Sequence, residues 1–303
     1  MRTAKIRAIL GGALLLLSVL ASASATQTMS IPSEHPNPQR ISVQTQGSGP
    51  DVILIPGLAS SRDIWAGLVA TLRKNHRVHL VELAGFAGTP AISSPRGKVI
   101  VSAVDAIADY IQSQNIQAPA IIGHSLGGEM ALMLGARHPD QVGRLMIVDA
   151  LPFYTLMIDP AATTETAARH AAAMRDLLLR QSPEQLTEFQ KASINRLVKN
   201  GAVKPALVTA AINSDRKTVA DAVYELMITD LRPELARIKA PIEIVYAYDV
   251  LYGIPAACVD AMYRQAYASA SDIHFTRIDD SFHFVMLDQP ERFSNAVESF
   301  LNK

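Results

Sequence analysis

The segment Gly123-His124-Ser125-Leu126-Gly127 restricts this chain more than any other, because of what surrounds it. The apolar run Ala120-Ile121-Ile122 precedes it, and Gly128-Glu129-Met130-Ala131-Leu132-Met133-Leu134, of helical character, follows. A serine on a sharp strand-to-helix turn is held in strained backbone with its hydroxyl clear of the sheet. Glycine two positions to either side is what such a turn requires, since a side chain there would crowd it. Ser125 is therefore the candidate nucleophile, and the rest of the chain must supply its partners.

Strand and helix signals alternate on both sides of this turn. Ile41–Thr45 alternates as a strand, Gly47–Pro50 turns it, and Asp51–Ile55 continues as a buried strand before the loop Pro56-Gly57-Leu58. Ile64–Arg73 has the spacing of an amphipathic helix, with Trp65, Leu68, Val69 and Leu72 on its apolar side. Val78–Leu83 is a strand, Val99–Ile111 a helix and Leu145–Asp149 a strand. Such alternation predicts an α/β fold with a mostly parallel sheet covered on both faces. From Pro152 to Lys239 strands disappear and only helical segments remain. Ser182-Pro183-Glu184-Gln185 starts one helix with a capping serine, Asn200-Gly201 stops it, and Ser214 or Asp215 caps another. Residues 152–239 thus read as an all-helical cap inserted into a core of residues 26–151 and 240–303. Ala240-Pro241 reopens the alternation. Ile242–Tyr246 is a strand, Ala256–Ala270 a helix, Ile273–Ile278 a last strand and Pro290–Leu301 a terminal helix.

The N-terminus carries an address rather than a fold element. Arg2, Lys5 and Arg7 precede the apolar run Ala8–Leu20, and Ala21–Ala25 is made of small residues. This is the pattern of a secretory signal cleaved after Ala25, placing the mature protein in the periplasm or outside the cell. The run is shorter than the ~20 residues of a spanning helix, so no stable membrane anchor is expected. Thr26–Arg40, polar and Pro-containing, reads as a loosely held leader. Cys258, the single cysteine, excludes an internal disulfide and reads as a buried structural thiol.

A serine hydroxyl needs a base and a carboxylate to orient that base. On this type of turn the order along the chain is Ser, Asp or Glu, His. His283, in the loop after the last strand, is the base that fits; His124 directly precedes the nucleophile, His76 lies in a connection on the wrong side of its strand, and the others fall in strands, in helices or in the leader. Asp249, after the Ile242–Tyr246 strand, is placed first as the acid, and Asp149, at the end of the preceding strand, second. The oxyanion of acyl transfer needs backbone donors aimed at it. These are expected from the N–H of Leu126, after the nucleophile, and of Leu58, after Pro56-Gly57. Trp65, Phe153 and Tyr154, with Leu58, Leu156 and Met157, are candidates for an apolar acyl pocket.

Other chemistries find little in the chain. Lys+Arg and Asp+Glu are both 28, leaving no basic field for nucleic acid. No His-Glu-x-x-His or paired histidines at ligand spacing point to a metal, and Gly85-Phe86-Ala87-Gly88 lacks the partners of a phosphate loop. No cofactor is expected, only a small-molecule substrate; the sequence leaves the oligomeric state open.

Taken together, these residues resemble the α/β-hydrolase superfamily, in particular its lipase/esterase-like members with a helical cap. The resemblance spans nearly the whole mature chain through Leu54-Ile55-Pro56-Gly57-Leu58, Gly123–Gly128, Ala240-Pro241 before the strand ending at Asp249, Ser281-Phe282-His283-Phe284 and Asp288-Gln289-Pro290-Glu291. It departs from many relatives at Pro56, often histidine there, and at Tyr246, often glycine. The resemblance implies an eight-stranded sheet but no particular substrate. The expected activity is cofactor-independent hydrolysis of an ester of a small or medium apolar acid. Lactone, amide or carbon–carbon bond hydrolysis, and a non-catalytic binding protein on the same fold, are the alternatives.

Overall fold

The computed structural model describes residues 28–29, 40–93 and 98–303. The signal sequence expected at 1–25 lies outside the described residues. Eight strands form one sheet: β1 (Thr28–Met29), β2 (Ile41–Gln46), β3 (Asp51–Ile55), β4 (Arg77–Leu83), β5 (Ala120–His124), β6 (Arg144–Val148), β7 (Ile242–Tyr248) and β8 (Ile273–Asp279). Their spatial order is β1-β2-β4-β3-β5-β6-β7-β8. β2 runs antiparallel to β1 and β4, and β4, β3, β5, β6, β7 and β8 are mutually parallel. Within the segment read as a loose leader, Thr28 and Met29 pair with Gln44 and Val43, so backbone hydrogen bonding seats two residues that composition marked as unheld.

The central strands read as unbroken apolar runs because both faces are covered. Ile53, Ile55, Ile121, Leu145 and Ile147 point into one core, beside α2 (Ile100–Ser113), α3 (Leu126–Arg137) and α8 (Ala256–Ala266). The alternating residues Val52, Leu54, Ile122, Met146 and Val148 point into the other. That second core is closed by α1 (Ala66–Leu72) and α10 (Pro290–Leu301) through Leu68, Val69, Phe293 and Val297. Trp65, just before α1, is fully buried there and stacks on Phe293 at 6.2 Å. The inward side of α8 is Val259, Tyr263 and Ala266. Its neighbour Cys258 therefore faces solvent, contrary to the buried thiol expected from the sequence.

Between β6 and β7 lie α4 (Thr164–Arg180), α5 (Pro183–Leu197), α6 (Lys204–Ile212) and α7 (Arg216–Ile228), with α4 packed on α7 and α5 on α6. Their starts follow the sequence: Ser182 and Gln185 form a reciprocal capping box, and Asp215 caps α7 by accepting from the Thr218 N–H at 2.8 Å. Buried polar groups fasten this block to the core. The Glu225 carboxylate accepts the N–H groups of Val99, Ile100 and Val101 at 2.7, 2.8 and 3.0 Å, neutralising the start of α2. The Ala87 N–H donates to Ser214 Oγ at 2.8 Å, and the Asp215 N–H to the Gly85 carbonyl at 2.7 Å. The glycine-containing loop 85–88 is thus a docking point for α7.

Glu225→Ala should remove three charge-assisted bonds and leave buried amides unpaired, costing about 2–4 kcal/mol in denaturant unfolding. Hydrogen exchange should accelerate at Val99–Val101. Glu225→Gln, which keeps one acceptor oxygen, should lose less; equal stability of all three proteins would remove this anchor from the account.

Candidate active site

At the carboxyl edge of the parallel strands the backbone itself shapes the site. Ser125 has φ 54° and ψ −120°, a conformation side-chain-bearing residues rarely adopt. Its N–H donates to the Val148 carbonyl on β6 at 2.9 Å, and its carbonyl accepts from Gly128 and Glu129 at 2.8 and 3.2 Å. Sheet and helix therefore fix the turn from both sides. A Cβ at Gly123 would collide with the Gly127 carbonyl, and one at Gly127 with the Ile55 and Pro56 carbonyls. Both glycines are there because β3, β5 and α3 approach backbone to backbone.

Gly57 lies against this turn, so close that a Cβ there would come 3.2 Å from Ser125 Cβ. Leu58, the next residue, lines the same cavity as Ser125, Leu126 and His283. The Leu126 N–H stands at the free N-terminus of α3, where backbone donors lack helical acceptors.

His283 follows β8, with its side chain about one-fifth exposed. Its Nδ1 lies 2.7 Å from Asp149 Oδ2. The other oxygen, Asp149 Oδ1, accepts from the Ala247 N–H at 2.9 Å and the Tyr263 hydroxyl at 3.0 Å. Asp149 also sits at positive φ, 48°, and its N–H donates to the Val245 carbonyl at 2.7 Å. This turn at the end of β6 carries the carboxylate across β7 toward the β8 loop. Burial, then the charge of Asp149, pushes the Tyr263 hydroxyl well above its ordinary pKa, so it remains a donor.

Asp249 is the correction. β7 runs on to Tyr248, two residues beyond the predicted end, and carries Asp249 past the histidine. Its buried carboxylate pairs with Lys199 from the α5–α6 connection and accepts the Leu251 N–H at 2.8 Å. Burial alone would raise its pKa; the Lys199 ammonium and the Leu251 N–H outweigh that and hold it below the usual carboxylate value.

His124 supports the loop from beneath. Its Nε2–H donates to the His283 carbonyl at 3.0 Å, and its ring lies 4.5 Å from the His283 ring. Complete burial, then the neighbouring His283, lowers its pKa well below the ordinary histidine value despite that bond, so it stays neutral. Asp288 ties the same loop to the cap by accepting from the N–H groups of Phe282, Lys199 and Asn200, each at 2.9 Å.

A cavity of about 380 Å³ opens over Ser125. Its walls come largely from the cap, through Met174, Leu178, Ile194, Leu207, Val223 and Leu226. Of the three pocket aromatics expected from sequence, Tyr154 lines the cavity; Trp65 and Phe153 do not. Trp65 belongs to the core beneath the opposite face of the sheet, and Phe153 is buried under the Arg232 guanidinium, 5.1 Å from its ring centre. Leu58 and Met157 line the cavity, whereas Leu156 packs inside the core. The sequence reading passed over Glu129, a carboxyl in the cavity wall whose signal is its place in a helix otherwise free of charge until Arg137 at its end. It also passed over Tyr263, which has no local signature. Among the described residues no cluster of three or more His, Cys, Asp or Glu could hold a metal, and no helix is long and apolar enough to cross a membrane.

A serine turn of this kind between a parallel strand and a buried helix, with histidine and carboxylate in loops at the same carboxyl edge of the sheet, defines the α/β-hydrolase fold. A family model of the alpha/beta hydrolase fold matches residues 50–195. A pimeloyl-(acyl-carrier protein) methyl ester esterase from Aeromonas hydrophila is 26% identical over 269 residues, covering 86% of this chain and 99% of that enzyme. One of the same name from Aromatoleum aromaticum is 27% identical, covering 82% and 97%. Among solved structures, an enol-lactonase from Burkholderia xenovorans superposes with a TM-score of 0.70 at 19% identity, over 87% of this chain and 96% of that one. A thermophilic esterase from Thermogutta terrifontis gives 0.71 at 20% identity, over 86% and 93%. This chain belongs to the α/β-hydrolase superfamily.

Asp249 contributes stability that is present above the unfolded carboxylate pKa of about 3.9 and lost as pH falls through its lower folded value. Lys199→Met keeps the burial and removes the ammonium. The variant should be less stable at neutral pH by about 2 kcal/mol, below the usual cost of breaking a buried pair because Lys199 is partly exposed and screened. Its deficit should shrink as pH falls below about 4, read from unfolding curves across pH; a constant deficit would contradict the pairing.

Proposed function

We propose that this protein is a serine hydrolase that cleaves carboxylic esters of small or medium apolar acids through an acyl-enzyme. The single observation that carries the reading is the 2.7 Å bond from His283 Nδ1 to Asp149, on a histidine that shares the Ser125 cavity. In this mechanism His283 Nε2 takes the Ser125 proton as Oγ attacks the ester carbonyl. The serine–histidine bond in such sites is often loose until substrate arrives. Asp149 holds the ring in the tautomer with Nδ1 protonated and stabilises the imidazolium that forms. The Leu58 and Leu126 N–H groups receive the negative oxygen. Collapse of the tetrahedral intermediate expels the alcohol, protonated by His283. Water, deprotonated by the same histidine, then attacks the acyl-Ser125 ester and releases the acid.

Supporting the ester reading are relatives named as methyl ester esterases along nearly their whole length. The apolar cavity wall and a volume near the lower end for ligand pockets favour a short or medium acyl chain. Export belongs to the same proposal and rests on the basic, apolar and small-residue succession of residues 1–25.

Ser125→Ala should abolish p-nitrophenyl ester turnover and fluorophosphonate labelling. Asp149→Asn should lower kcat by about 10⁴-fold, as misorienting the base does in comparable triads, while Asp249→Asn should keep kcat within about tenfold. Full activity of Ser125→Ala would end the mechanism, and the reverse ranking of the two aspartates would move the acid to β7. For export, fractionated cells should yield a protein beginning at Thr26 outside the cytoplasm; an intact Met1 terminus confined to the cytosol would refute it.

A further inference from the structure

One carboxyl group in the cavity has no part in the acyl-transfer chemistry. Glu129 lies in the first turn of α3, four residues after Ser125, and lines the same cavity. It is 1% exposed, lines the cavity, and neither of its carboxyl oxygens has a hydrogen-bond partner. Leaving a buried polar group unpaired costs about 1–3 kcal/mol. Leucine or methionine, which fill much of the rest of α3, would avoid that cost.

The ionisable groups that bear on Glu129 are already engaged elsewhere. Glu225 accepts from the start of α2, Asp230 is held by Arg232, and the Tyr267 hydroxyl donates to the Ala150 carbonyl at 2.8 Å. No lysine or arginine lines the cavity among the described residues. Burial first, then the charges of Glu225 and Asp230, raise the Glu129 carboxyl well above its ordinary pKa. The neutral form that this favours offers one O–H donor and one carbonyl acceptor.

We propose that Glu129 determines acyl specificity by pairing with an uncharged substrate group that both accepts and donates a hydrogen bond, a hydroxyl or an amide, a few atoms from the scissile carbonyl. This rests on the ester-hydrolase reading and refines it: the acid is mostly apolar but carries one polar group partway along its chain. A plain alkyl chain leaves both Glu129 oxygens unpaired. A carboxylate tail adds negative charge beside Glu225 and Asp230. The hydroxyl or amide fits both the hydrogen-bonding capacity and the charge of the wall.

The test is binding to the Ser125→Ala protein, which reads recognition without turnover. The ligands are methyl hexanoate and a set of methyl hydroxyhexanoates with the hydroxyl moved one carbon at a time from the carbonyl. At least one hydroxylated ester should bind about tenfold more tightly than the plain ester, a modest value for a site that hydrogen-bonds its ligand. Adding Glu129→Leu should erase or invert that preference, whereas Glu129→Gln, whose amide also donates and accepts, should preserve it. Equal preference in the Leu and Glu proteins, absence of preference in the Glu protein, or failure of every ligand to bind would each overturn the inference. Should Glu129→Leu fail to fold, Glu129→Met takes its place. Hydroxyl preference in binding without esterase turnover in the Glu129, Ser125 protein would refute ester hydrolysis and leave this recognition standing; turnover without preference would do the reverse.

Discussion

The close approach of three backbones at the serine turn is the constraint from which the rest of the structure follows. Gly123 lies against Gly127, and Gly127 against the ends of β3, with no space for a side chain at either contact. α3 is thereby pulled into the molecule until nearly every residue on it is buried. A helix buried all round needs cover beyond the sheet, and α2, α8 and the connection before β7 supply it. The same approach leaves the Leu126 N–H at an unshared helix terminus beside the Gly57-Leu58 loop. Sheet, buried helix and anion-seeking backbone are one geometric outcome.

Holding the histidine is a separate problem, solved from two sides. Asp149 reaches its ring, while His124 and Asp288 hold its loop through backbone groups. The neutral His124 serves there as a donor whose apolar burial prevents it from becoming a competing cation. The cap is not hung loosely over this arrangement. Glu225, Ser214 and Asp288 attach it at the start of α2, at the loop after β4 and at the histidine loop.

Strong local signals made most of this legible in the sequence. The alternation of apolar residues marked the central strands because burial on both faces leaves no polar positions to blur them. The Ser182 and Asp215 caps were readable because capping is a contact over three residues. The seryl turn and His283 were readable because each lies in a short segment of fixed order. The carboxylate that meets His283 was not, since that contact depends on where β7 ends and on the positive φ of Asp149, and neither leaves a mark in composition. Two of the three pocket aromatics failed for a similar reason: Trp65 and Phe153 are as apolar as lining residues would be, and only the fold decides which side of the sheet they enter. Glu129 went unnoticed because a glutamate inside a helix ordinarily faces water.

The β7 end retains a carboxylate that does not touch the histidine and is bonded to a lysine of the cap. With the histidine held from β6, the exposed stretch Val250–Ile254 is released from any duty to keep that ring in register. The Asp249 carboxylate is instead coupled to Lys199, so a change at either partner of that ion pair should cost less alongside a change in the other. Over evolutionary time the two strand ends should therefore drift under different rules, one in step with the histidine loop and the other in step with the cap.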